Sequence, residues 1–93
     1  MIRQETAETI ALHALTWLLA QEDRLADFLA ESGASVGDLA SVAGDAPFLG
    51  SVLDFLLRDD ATVIAVCDAI GLPPDGLLRA RSVLPGGDVP DWT

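Results

Sequence analysis

The chain has 93 residues, 51% of them hydrophobic, and its 15 acids against 5 arginines and no lysine give a net charge of −10. That length fits a single domain over residues 1–93 with one core. The apolar fraction excludes a disordered chain, the lone Cys67 excludes a disulfide framework or a thiolate zinc site, and the acidity excludes binding nucleic acid through its phosphates.

The first helix is expected from about residue 6 to residue 20. Its apolar run, residues 10–20, is interrupted by His13 and Thr16 and falls short of the roughly 20 residues that span a bilayer. Glu5 and Glu8 stand where a signal peptide would carry basic residues, and no Ala-x-Ala site follows. The expectation is a cytoplasmic protein with no membrane partner. Glu22 and Asp23 open a second helix, which Gly33 closes as a left-handed cap. Ser35 with Asp38 resembles a capping box for a short third helix that stops at Gly44. Asp45 caps a fourth, with Pro47 in its first turn where a missing N–H costs nothing. Asp59 or Asp60 begins a fifth, which ends at Gly71. Pro73, Pro74 and Asp75 start a sixth, and Pro85-Gly86-Gly87 stops it. No segment alternates apolar and polar residues as a strand would. The fold class is therefore all-α, a compact bundle of about six helices with an ordered core at about residues 5–84 and a tail over 85–93.

Shifting the chain by 38 residues lays Trp17-Leu18-Leu19 on Phe55-Leu56-Leu57, Gly33 on Gly71 and Leu39 on Leu77. A period of that size is typical of helical repeats. It predicts two pseudo-equivalent three-helix units, about residues 10–42 and 48–80, related by a twofold axis. At 100° per residue, the apolar positions of the first and fourth helices each cover an arc of about 200°, twice what a surface helix needs. Both helices are expected at the centre of the bundle, with a surplus of apolar surface.

Candidate chemistry is sparse. Nine acids fall in the first turns of predicted helices, where they cap free N–H groups and oppose the helix dipole. Arg58, Arg79 and Arg81 fall at predicted helix ends, where the same dipole favours cations. No Asp-x-Asp-x-Asp-Gly loop is present, and His13 has no acid or second His at helical spacing. It is expected half-exposed against the edge of the Trp17 indole. Cys67 sits among Val63, Ile64, Val66 and Ile70, where a free thiol acts as a small hydrophobe. Ser35 opens a helix but lacks the Asp-Ser-Leu context of a carrier protein's phosphopantetheine site. No catalytic residue, cofactor or metal is expected, and the protein is read as no enzyme.

The run Phe48-Leu49, Val52-Leu53-Asp54-Phe55-Leu56-Leu57 and Asp59-Asp60 resembles that of short alphaproteobacterial proteins catalogued as domain of unknown function 3572. The opening around Glu8-Thr9-Ile10-Ala11 with Trp17-Leu18, and the closing Gly71-Leu72-Pro73-Pro74, are similar to that family as well, so the resemblance covers about residues 5–86. It implies a bacterial, cytoplasmic, all-α protein and supplies no activity, cofactor or catalytic residue.

The residues point to a non-enzymatic protein–protein interaction module or homo-oligomer. Its partner surface would be the apolar surplus of the first and fourth helices, with Trp17, His13 and Phe48, helped by Trp92 in the tail. One alternative is a small-molecule or acyl-chain binder, using a cleft between the two units lined by Leu18, Leu56, Val66 and Phe28. Another is an acidic competitor of a basic protein partner.

Overall fold

The computed structural model describes residues 3–33, 35–42 and 44–84, the side chains of Val36, Ala40 and Val42 excepted. Six helices and no strand make up these described residues: α1 (Gln4–Leu19), α2 (Glu22–Ser32), α3 (Val36–Val42), α4 (Ala46–Leu56), α5 (Asp60–Ile70) and α6 (Gly76–Val83). Their ends follow local chemistry. Asp45 accepts a hydrogen bond from the Phe48 N–H at 3.0 Å, and Asp59 accepts one from the Thr62 N–H at 3.0 Å, so each caps the helix it precedes. Gly33 and Gly71 close α2 and α5 in the left-handed conformation, both at φ 76°, which side chains with a Cβ avoid.

Three ends differ in detail from the sequence reading. α1 begins two residues early, at Gln4, where the side-chain amide donates to Glu8 at 3.0 Å and extends the first turn. At α3 only half of the capping box forms: Asp38 reaches back to the Ser35 N–H, but the Ser35 hydroxyl donates to the same carboxylate. α6 starts after Asp75, whose carboxylate caps nothing and pairs instead with Arg79 at 2.9 Å. Leu84 is extended, as the residue before a proline prefers, and α6 ends at Val83. The Pro85-Gly86-Gly87 stop lies outside the described residues.

α1 is the central element and packs against α2, α4, α5 and α6. Its inner face is made of fully buried small residues, Ala7, Ala11 and Ala14, followed by Leu15 and Leu18. Small side chains shorten the distance at which helix axes pack, so neighbours sit close to the first half of α1. α4 inserts Leu49, Val52, Leu53 and Leu56 into the same core, each no more than 1% exposed, and Leu77, Ala80 and Leu84 close it from α6. Both helices expected at the centre are there.

Of the expected 38-residue period only one helix pair keeps length and punctuation, since α1 has 16 residues and α4 has 11. α2 and α5 are eleven residues each, end in equivalent glycines, and start at equivalent positions. Packing does not confirm the twofold relation: α2 lies along α1, whereas its counterpart α5 lies against α1 and α6 with no comparable contact to α4. Caps and glycines fix helix ends locally, but only the shapes of facing side chains fix packing, and these diverge between the two units. Among the described residues no helix is long and apolar enough to cross a membrane.

Candidate functional site

An open groove of about 350 Å³ runs between α1 and the end of α5, lined by His13, Thr16, Trp17, Ala69 and Ile70. Its helical origin is simple. His13 and Trp17 are one turn apart on the flank of α1, next to the buried stripe of Ala14 and Leu18 but rotated out of it. Trp17 is half-buried, and His13 is exposed where a half-exposed side chain is expected. Ala69 and Ile70, the last two residues of α5, line the groove from the other helix.

Trp17 is fixed from its other side. The Arg24 guanidinium lies 5.6 Å from the indole centre, a cation–π arrangement, and its Nε donates to Thr62 Oγ1 at 3.2 Å. The Thr62 hydroxyl in turn donates to Asp59 Oδ2 at 2.8 Å. This hydroxyl, then the Thr62 N–H, and more weakly the charge of Arg24, hold the Asp59 carboxyl below the usual aspartate range against a small opposing effect of burial. A chain of contacts from Asp59 to Trp17 therefore sets the edge of the groove. Sequence reasoning did not find Arg24, Ala69 or Ile70. The signal for Arg24 was its isolation, since no other arginine lies between Arg3 and Arg58.

Beside the groove, the outward face of α1 carries Leu12 and Leu19, 38% and 43% exposed. Thr16 lies between them and belongs to both surfaces. The Thr9 and Thr16 hydroxyls donate to the carbonyls of Glu5 and Leu12, at 3.0 and 2.9 Å. Their polar groups are thereby satisfied within the helix, which leaves the methyls to extend the apolar strip. α1 thus exposes two leucines, while Ile64 on α5 and Leu78 on α6 are more exposed still, at 63% and 61%. The expected surplus of α4 is consumed internally: Phe48 and Phe55 meet the buried Phe28 edge-on, with centroids 5.8 and 5.4 Å away. Phe48 belongs to this aromatic trio and does not line the groove with His13 and Trp17. Trp92 lies outside the described residues.

Leu18, Leu56 and Val66 are fully buried and Phe28 is 2% exposed, so the four residues expected to line a ligand cleft form core instead. Each belongs to a face that its neighbours cover completely. A smaller recess of about 130 Å³ near Phe28 and Phe55 is bordered by the Arg58–Glu31 ion pair. Arg58 lies just past the end of α4 and sits 5.5 Å above Phe55, so it is occupied by a ring and a carboxylate as well as by the helix end. Cys67 is 3% exposed, its thiol directed at the Pro74 carbonyl at 3.8 Å. Among the described residues no three His, Cys, Asp or Glu side chains are grouped to hold a metal.

Fold and groove together define a small, acidic, all-α protein with an apolar strip on its central helix. Residues 4–87 match the family described as Protein of unknown function (DUF3572), nearly the whole chain, and the chain belongs to that family. No curated protein and no solved structure matches it.

Proposed function

We propose that this protein is a non-enzymatic protein–protein interaction module that docks through α1. The observation that carries the reading is the continuous apolar surface formed by Leu12, Thr16 and Leu19 with the adjoining Trp17 groove. Aromatic residues anchored in a pocket and rimmed by accessible aliphatic groups are what binding hot spots are made of. The indole is held in place by Arg24 before any partner arrives, which lowers the ordering cost of association. A small-molecule role is less well supported. The groove reaches the lower end of ligand-pocket volumes, yet it lies open along one side, whereas such sites enclose most of their ligand.

The test is affinity capture from the cells that make the protein, using the wild type and a Leu12→Asp/Leu19→Asp variant. One companion in near-stoichiometric amount with the wild type and lost with the variant, at unchanged helicity, is the expected result. Identical companions for both, or none, would overturn the reading.

A further inference from the structure

The remaining question for this surface is what chemistry covers it, and the charges around the strip answer it. Glu5, Leu12 and Leu19 are spaced by seven residues and so lie along one stripe of α1, each about 10 Å from the next. Glu8 sits one turn after Glu5, on the same side as Leu12. At the other end, α1 turns directly into Glu22 and Asp23, which with Ala20, Gln21 and Arg24 border a second, polar cleft. From Gln4 to Asp23 there are four carboxylates and no arginine. Two cations flank this stretch: Arg3 stands two residues before Glu5, and Arg24 is committed to Trp17 and Thr62. Along the chain, the apolar strip of α1, about 10 Å long, is thus preceded by Glu5 and Glu8 and followed by Glu22 and Asp23, all but Glu8 exposed.

We infer that the occupant of this surface is a basic amphipathic helix from another protein, an inference that rests on the interaction reading above. Its apolar residues, one or two turns apart, would lie over Leu12, Thr16 and Leu19, with one side chain entering the groove against Trp17. Lysines or arginines a further two turns out on each side would meet Glu5 and Glu8 at one end and Glu22 and Asp23 at the other. This is helix-in-groove recognition with electrostatic registration at the ends. A second copy of the chain fits poorly. Antiparallel pairing of two α1 strips sets Glu5 and Glu8 of one against Glu22 and Asp23 of the other. Parallel pairing sets each acidic pair against itself, and both chains carry a net charge of −10. Nucleic acid and anionic lipid carry the wrong sign for the same reason.

The test uses the full chain, isotopically labelled and titrated with three synthetic helical peptides that share one leucine face. Their flanks carry lysine, glutamine or glutamate. The lysine peptide is expected to bind roughly tenfold or more tightly than the glutamine peptide at low salt, and the glutamate peptide weakest. Its chemical-shift changes should centre on Leu12, His13, Thr16, Trp17, Leu19 and Ile70. The advantage should shrink between about 0.01 and about 0.1 M salt, as the screening length falls from about 30 to about 10 Å. A Glu5→Gln/Glu8→Gln/Glu22→Gln/Asp23→Asn variant should lose most of it while keeping its fold. Equal binding of all three peptides, binding of none, or shifts centred on another face would each overturn the inference. So would a concentration-dependent dimer that Leu19→Asp abolishes, which would make the occupant a second copy. A strip-dependent companion captured from cells but docking without basic residues would sink this inference and leave the interaction reading standing. No companion at all would sink both.

Discussion

Arg81, in the last turn of α6, grips Asp54 on α4 with a two-pronged ion pair, Nε donating to Oδ1 at 2.6 Å and Nη2 to Oδ2 at 2.8 Å. The two partners sit in different media: the Arg81 side chain is 10% exposed and that of Asp54 55%. A guanidinium withdrawn from water needs a partner that matches its fork, and a carboxylate does so with both oxygens while keeping part of its own hydration. The pair ties the last turn of α6 to the last turn of α4, and the arginine stem fills space that a shorter side chain would leave open.

Arg81→Ala should therefore lower stability by about 2 kcal/mol, combining the lost charged bonds with the lost packing of the stem. Arg81→Lys keeps the charge but cannot meet both oxygens at once, and should cost about 1 kcal/mol. Urea denaturation of the two variants measures the difference. Equal losses would mean that the fork geometry contributes nothing.

The Asp59 cap carries a pH signature. Thr62 and Arg24 hold this carboxyl below its unfolded value, so its stabilising effect is complete above the ordinary aspartate pKa of about 3.9 and is lost as pH falls through the lower, folded value. Thermal melts of the wild type and of Asp59→Asn should differ most above about pH 5 and converge in stronger acid. A difference that stays constant down to that acid range would show that the carboxylate charge has no part in the cap.

Gly33→Ala and Gly71→Ala should each cost about 1 kcal/mol, and nearly the same amount. Both glycines have φ 76°, and a Cβ at either would meet nothing within 4 Å, so only the backbone penalty acts. Denaturant midpoints of the two variants give the comparison. A much larger loss at one of them would point to a contact at that helix end.

Much of this architecture is readable one turn at a time. Asp45, Asp59, Gly33 and Gly71 act on atoms no more than five residues away, so their meaning survives without knowledge of the fold. The exposed leucines of α1 were legible for a related reason: the wheel counts apolar positions, and α1 has more than its neighbours cover. What stayed hidden depends on distant pairings. Phe48 reads as partner surface from its own helix alone, because the ring packed edge-on against it, Phe28, stands twenty positions earlier. Trp17 shares a groove with Ile70, more than half the chain away. Arg81 looked like a helix-end charge until its carboxylate partner, 27 positions away, came into view. Periodicity registers how much surface a helix must hide but not which neighbour hides it.

Two leucines on different faces of α1, one buried and one exposed, give a direct measure of that distinction. Leu18→Ala empties a fully buried site and should cost about 3 kcal/mol, within the usual range for core leucines. Leu12→Ala removes a side chain that is 38% exposed and should cost less than about 1 kcal/mol. Equilibrium unfolding of both variants checks the contrast, and a large loss at Leu12 would mean that its face is already covered within the chain.

The fully buried alanines of α1, Ala7, Ala11 and Ala14, divide the helix lengthwise by tolerance to change. On the inner side there is no space for an added methyl group, because the neighbouring helices already sit against the alanine stripe. On the outer side Leu12, His13, Thr16 and Leu19 border solvent. A sequence library confined to those four positions would keep the scaffold and vary only its address, making α1 a ready template for redirecting the protein to a chosen helix.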